Sequence, residues 1–174
     1  SKLVGDLYVQ EYSHIYKMRT AVFRMSCTYG TRQFGFEDQG WVAWFIICSV
    51  LNRPLTIFGD GNQVRDVLHV DDLIDLYEKA ILNIDAVKGQ AFNVGGGPSN
   101  TLSLNELIKL LEKKSGKRME VSYADWRLGD QKVYISDIRK VERLLKWKPS
   151  LNPAEGVEKL LEWIEIEREH ISYV

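Results

Sequence analysis

Gly59-Asp60-Gly61-Asn62-Gln63-Val64-Arg65-Asp66-Val67-Leu68-His69-Val70-Asp71-Asp72 is the stretch on which the reading of this chain turns. The two leading glycines allow the positive φ of a tight turn, which other residues resist. Beyond them Val64, Asp66 and Leu68 alternate with Arg65, Val67 and His69, the period of a strand with one polar-tipped face. Asp71 or Asp72 is then placed to cap a helix by accepting a backbone N–H of its first turn. Arg65 supports two readings: its guanidinium fork can meet a phosphate bidentately, or it pairs at the surface with Asp66 or Asp60.

On the amino-terminal side, Pro54 to Phe58 reads as the strand entering the turn. Trp41 to Asn52 reads as a helix buried all round, its apolar run being well short of the roughly 18 residues a membrane span requires. Earlier still, Leu3, Leu7 and Ile15 with Tyr8, Tyr12 and Tyr16 recur at helical spacing over residues 2 to 17. Thr20 to Met25 is a strand whose consecutive Ala21, Val22 and Phe23 suit coverage on both faces, as in a parallel sheet. The polar segment Ser26 to Gln33 follows the carboxyl end of that strand, where open α/β sheets bind ligands.

On the carboxyl-terminal side a helix runs from the aspartates to about Asn83, with Val70, Leu73, Ile74, Tyr77, Ala80 and Ile81 as its buried stripe. Gln90 to Gly95 is a strand, and Gly95, Gly96, Gly97 and Pro98 read as a flexible loop. Ser103 and Glu106 form a capping box opening a helix that Gly116 closes. Met119 to Tyr123 and Val133 to Ile135 are strands around the polar loop Trp126 to Gln131. Ser136 or Asp137 caps a helix to Leu145. Pro153 occupies the first turn of a last helix striped by Val157, Leu160, Leu161 and Ile164.

Composition narrows the function. The 174 residues are 45% hydrophobic and 27% charged with a net charge of -1, which fits a globular domain and provides no electrostatic footprint for nucleic acid or an anionic membrane. Any anion site is therefore local. Cys27 and Cys48 lack the number and spacing of a disulfide framework or metal site and read as free thiols in a reducing cytoplasm. The chain opens as Ser1-Lys2-Leu3 inside a helical pattern without an apolar leader, so it reads as a fragment. Arg65-Asp66 and Arg127-x-x-Asp130 put two guanidinium groups among glycines and apolar residues. Two forks converging on one site suit a diphosphate, and two unrelated surface ion pairs remain the alternative.

Several segments together resemble a known family. Tyr29-Gly30-x-Arg32-Gln33, Leu55 through Asp72, Phe92-Asn93-Val94-Gly95-Gly96 and Arg127-x-Gly129-Asp130-Gln131 are similar, in order and spacing, to the carboxyl half of extended short-chain dehydrogenase/reductases acting on nucleotide sugars. Within it, Phe23 to Gly30 and Arg32 to Val42 are most similar to the CDP-paratose 2-epimerase group, where Cys27 replaces the substrate-contacting Asn of other members. The resemblance implies an α/β fold. Residues 1–35 are expected to end a Rossmann-type doubly wound sheet, and residues 36–174 to form a smaller substrate-binding domain.

It also implies the chemistry: NAD takes a hydride from C2 of a CDP-sugar and returns it to the other face. Lys2 would be the Lys of a Tyr-x-x-x-Lys pair whose Tyr, like the glycine-rich cofactor turn, falls upstream of Ser1. Lys2 and Ser26 are thereby assigned to the nicotinamide side. Cys27, Gln39, Trp41, Thr56 and Phe58 are assigned to the substrate, Trp41 being equally readable as a helix-start core residue. Arg65 and Arg127 would clamp the diphosphate, with Asp130 on a ribose hydroxyl or orienting Arg127. A homo-oligomer is expected, and His69 with Asp71 is read as a strand-to-helix cap rather than a catalytic pair. The competing reading is a nucleotide-diphosphate-sugar binding module without turnover, or a related 4-epimerase or 4,6-dehydratase.

Overall fold

A computed structural model describes residues 1–171. Helix α1 (Lys2–Tyr16) leads into strand β1 (Val22–Met25), a short β2 (Thr28–Tyr29) and helix α2 (Trp41–Leu51). Strands β3 (Leu55–Phe58), β4 (Val64–Asp66) and β5 (Leu68–His69) precede helices α3 (Val70–Leu82) and α4 (Ile84–Val87). Next come β6 (Ala91–Val94), β7 (Thr101–Ser103), helix α5 (Leu104–Ser115), β8 (Val121–Ala124) and β9 (Val133–Tyr134). Helices α6 (Arg139–Leu145), α7 (Pro153–Ile166) and α8 (Arg168–Ile171) finish the described chain.

Four parallel pairings and one antiparallel pairing organise these elements. β1 lies parallel to β6, β2 to β5, and β3 to β8. β4 is flanked by antiparallel β7 and parallel β9. Parallel neighbours need long crossovers, and here α2, α3 and α5 lie within them. The fold is thus α/β, as expected.

Two apolar cores support it. In the first, α2 is apolar on every side because α5 and α7 both pack on it: Ala43, Ile46, Ile47 and Cys48 are buried against Leu107, Leu111, Val157 and Leu160. Burying one such aliphatic side chain stabilises the fold by about 1.5–3 kcal/mol. The second core joins Leu73 and Leu76 of α3 to Phe92, Val94 and Trp147. Trp147 is fully buried, and its indole N–H donates to the Asp72 carbonyl at 3.1 Å. Among the described residues no helix is long and apolar enough to cross a membrane.

Several local expectations are corrected. The single strand Val64 to Val70 is two strands in different sheets, because the ladder changes partner at Val67: its N–H donates to Asn100, and that of Leu68 to Cys27. Asp66, read as one of two possible surface partners of Arg65, is fully buried. Neither Asp71 nor Asp72 caps α3; His69 does, its Nδ1 accepting from the Asp71 N–H at 3.2 Å. Asp72 turns inward instead and binds Ser150 and Leu151. On α3, Leu76 belongs to the buried stripe, whereas Ile74, Tyr77 and Ile81 are exposed. β1 is not covered on both faces, Met25 being 54% exposed. Gly95 to Pro98 is no loose loop: Gly95 and Gly96 are buried, and a Cβ on them would lie 2.1 Å from Asp66 Oδ2 and 2.2 Å from the Val67 carbonyl. Only glycine allows that approach.

Candidate functional site

The strand β3 alternates. Leu55 and Ile57 point into the first core, which leaves Thr56 and Phe58 on the opposite face, half-buried. That face is one wall of a cleft of about 390 Å³. Gln39 and Trp41, at the start of α2, form a second wall, and Arg65 on β4 a third. The loop between β8 and β9 brings Arg127 and Asp130 across the opening. Seven sequence-assigned residues, Gln39, Trp41, Thr56, Phe58, Arg65, Arg127 and Asp130, therefore meet at one place.

Three do not line it. Lys2 is exposed at the start of α1. Ser26 follows β1 and donates its hydroxyl to Asp66 Oδ1 at 2.7 Å, behind the strand that carries Arg65. Cys27 is half-buried beside the cleft. Burial pushes its thiol pKa up, the adjacent Trp41 indole and the Arg65 charge pull it down, and Asp66 adds to the rise. The balance keeps it a protonated thiol at neutral pH, a small weakly polar neighbour rather than a nucleophile.

Both guanidinium groups have defined partners, and not those expected from adjacency. Arg65 pairs with Asp130 at 2.7 Å, neither with Asp66 nor with Asp60, and its Nη1 donates to the Val64 carbonyl at 2.9 Å. Arg127 pairs with Asp38 at 2.9 Å, and its Cζ sits 3.9 Å above the centre of the Phe58 ring. Asp130 thus holds Arg65 rather than Arg127. Carboxylates of Glu37, Asp38 and Asp130 outnumber the two cations of the lining, so the cleft is a set of placed charges rather than a broad anion funnel.

The remaining lining is apolar and aromatic: Trp44, Phe45, Ile57 and Leu104. Three buried polar atoms of the lining have no hydrogen-bond partner among the described residues, the indole N–H groups of Trp41 and Trp44 and Gln63 Oε1. Gln63 is pinned by donation from Nε2 to the Phe58 carbonyl at 2.8 Å, which leaves its oxygen as a fixed acceptor. A buried polar group without a partner costs about 1–3 kcal/mol, and such atoms in a cleft point to a ligand that completes them. A charged region for phosphates beside an aromatic region for a flat ring, with unused donors and acceptors, is a chemical outline of a nucleotide site.

Asp38, Trp44 and Gln63 escaped the sequence reading. Trp44 lies one helical turn after Trp41, and Gln63 two residues before Arg65, so periodicity places each on the side of an assigned residue. Nothing comparable marks Asp38. Among the described residues no three His, Cys, Asp or Glu side chains are grouped to hold a metal ion.

The chain is similar to several known proteins. The chain is 44% identical over 168 residues to the CDP-paratose 2-epimerase of Salmonella typhi, covering 94% of this chain and 50% of that protein. It is 35% identical to a putative UDP-glucose 4-epimerase of Methanocaldococcus jannaschii, covering 94% and 52%. Its structure superposes on the UDP-glucuronic acid 4-epimerase of Bacillus cereus, solved with UDP-glucuronic acid and NAD, with a TM-score of 0.84 at 30% identity, covering 95% and 51%. The chain spans about half the length of the curated relatives it matches. Residues 1–95, from α1 through the first glycine after β6, match the family described as NAD dependent epimerase/dehydratase. Sequence match, superposed fold and the order of the motifs agree, and the chain belongs to the NAD dependent epimerase/dehydratase family.

Proposed function

We propose that this chain is the substrate-binding half of an NAD-dependent nucleotide-sugar epimerase that inverts C2 of a CDP-sugar, the CDP-paratose to CDP-tyvelose reaction. The observation that carries the reading is the meeting of Arg65 and Arg127 in one cleft with Phe58, although they are far apart in sequence. The arginines hold the diphosphate, Phe58 and Thr56 face the base, and Gln39, Trp41 and Cys27 border the nucleotide and sugar. In this reading residues 1–35 belong to the cofactor side and 36–174 to the substrate side. Two pairings cross that boundary, β6 being the neighbour of β1 and β5 that of β2.

NAD, when bound, accepts and returns the hydride. Ser26 stands where the parallel strands β1 and β6 end, a position suited to a cofactor, and we assign Ser26 and Lys2 to it. The other half of a dinucleotide site is not found among the described residues: the glycines 95–97 are packed against Asp66 and Val67 and leave no room for a pyrophosphate. The cleft lining also contains no Lys, His or Tyr that would exchange protons near neutral pH. For the 174 residues alone we therefore propose nucleotide-sugar binding without turnover, in a homo-oligomer associated through exposed apolar helices and located in the cytoplasm.

The test is a calorimetric titration of the chain with CDP and, separately, UDP. Saturable CDP binding that is lost in Arg65→Ala and in Arg127→Ala is the expected result. Absence of binding to either nucleotide refutes a substrate site formed by this half alone. Turnover of CDP-paratose against UDP- and dTDP-sugars by the complete protein decides between 2-epimerase, 4-epimerase and 4,6-dehydratase.

A further inference from the structure

The Arg127 guanidinium is held on one edge and one face. Nη2 forms an ion pair with Asp38 Oδ1 at 2.9 Å and donates to the Glu37 carbonyl at 3.4 Å, while Cζ sits 3.9 Å above the centre of the Phe58 ring. No partner for Nε or Nη1 occurs among the described residues. The holding groups come from the tip of a tight turn, closed by reciprocal backbone bonds between Phe36 and Gln39 of 3.0 and 2.9 Å. Glu37 and Asp38 are the two residues between those bonds. A guanidinium is planar and its five N–H groups have fixed directions. Holding Nη2 on the turn and Cζ over the ring therefore restricts where the Nε and Nη1 groups point.

We propose that Asp38 is a positioning residue of this cleft: by holding Nη2 of Arg127 over Phe58 it presents the remaining Nε–Nη1 edge to a phosphate of the bound nucleotide. The inference rests on the nucleotide-sugar reading above and adds to it a residue outside the assigned set. It also accounts for a carboxylate in the lining of an anion site. The negative charge repels the ligand at longer range, and the constraint on Arg127 outweighs that loss, because an unconstrained arginine gives up side-chain freedom on binding. Arg65 is held in the same way, one nitrogen on Asp130 and another on the Val64 carbonyl.

Calorimetric titration of the 174-residue chain with CDP, for wild type, Asp38→Ala and Asp38→Asn, tests the proposal. Asp38 is largely exposed, so the fold tolerates either change. Asp38→Ala is expected to weaken binding about three- to fivefold, the scale of an exposed ion pair. Asp38→Asn removes the ion pair but also the repulsion, and leaves a neutral oxygen beside Nη2, so it is expected to weaken binding less than Asp38→Ala. In the absence of ligand, trypsin is expected to cleave after Arg127 faster in Asp38→Ala than in wild type or Asp38→Asn. Tighter binding by both variants makes Asp38 a competitor of the phosphate and overturns the proposal. Unchanged binding and cleavage in both overturns it equally, and in either case wild-type binding leaves the nucleotide reading standing. Failure of the wild type to bind CDP overturns both.

Discussion

Replacing Arg65 with alanine isolates the nucleotide clamp from the fold. The side chain is 15% exposed and projects from β4, whose backbone ladder to β7 and β9 does not depend on it. Two of its nitrogens already serve Val64 and Asp130, so Nε and the remaining N–H directions are those left for a phosphate. A net hydrogen bond to a charged group contributes about 1.5–3 kcal/mol. One such bond lost corresponds to roughly a 10- to 150-fold rise in Kd for CDP. Asp130→Asn moves binding the other way: Arg65 keeps an acceptor for Nη2 and the repulsion between carboxylate and diphosphate disappears. Calorimetry on the two single variants and the double variant forms a cycle, and the Asp130 effect is expected to grow once Arg65 is absent, because the carboxylate then faces the diphosphate without its countercharge. Arg24→Ala, which removes the partner of Asp6 on α1, is the charge-matched control and is expected to leave Kd within about twofold. Equal CDP affinity of Arg65→Ala and wild type, with unchanged thermal melting, refutes the clamp.

Asp72→Ala leaves the Ser150 and Leu151 N–H groups and the Ser150 hydroxyl without their shared acceptor, and is expected to cost about 2–4 kcal/mol in urea denaturation; a loss under about 1 kcal/mol contradicts that role. His69 is buried, and desolvation lowers its pKa from the usual 6.5, a shift the Asp71 charge opposes and Lys159 reinforces. The unfolded chain then binds a proton that the native one resists, so this contribution is complete above 6.5 and is lost as pH falls below it. Denaturation midpoints of wild type are expected to drop toward pH 5 more steeply than those of His69→Gln, and parallel curves refute the assignment. The α1 face exposes Leu3, Leu7, Tyr8 and Ile15, enough apolar surface to drive association. Light scattering is expected to show oligomers that Leu7→Glu reduces, and a monodisperse wild-type monomer sinks the idea.

What the sequence showed and what it concealed divide along physical lines. Signals carried by neighbours along the chain are legible: the box formed by Ser103 and Glu106 is present with both reciprocal bonds, and α2 follows from an apolar run that only Ser49 interrupts. An equivalent box at Asn152 and Glu155 opens α7, and the same local pattern marked it although only Pro153 was read. β2 and β7 have two and three residues, too short for any period to register. Burial of acids was concealed for a different reason. Asp66 and Asp72 look like surface or capping residues until the distant donors, Ser26, Gly97, Ser150 and Leu151, are brought to them. The site showed the same division. Its arginines were recognisable singly, but their partners Asp130 and Asp38 lie 65 and 89 positions away, and only the fold selects them.

The Gly59 to Asp72 stretch combines anchoring and binding roles, and this limits how substitutions in it are interpreted. A buried carboxylate is tolerable only when hydrogen-bonded. Asp66 meets that condition through Ser26 and the Gly97 N–H, which ties the end of β1 to the glycines after β6. At the other end of the stretch Asp72 ties α3 to the segment before α7, and near its start Asn105 bonds the turn through the carbonyls of Asp60 and Gly61. Arg65 stands between these anchors and takes part in none of them. Loss of ligand binding in Asp66→Ala therefore reports displacement of β4 as much as any contact with ligand, whereas the same loss in Arg65→Ala reports the contact. The order of experiments follows: a melting curve for Asp66 variants precedes any titration, and only variants that keep the wild-type transition carry information about the site.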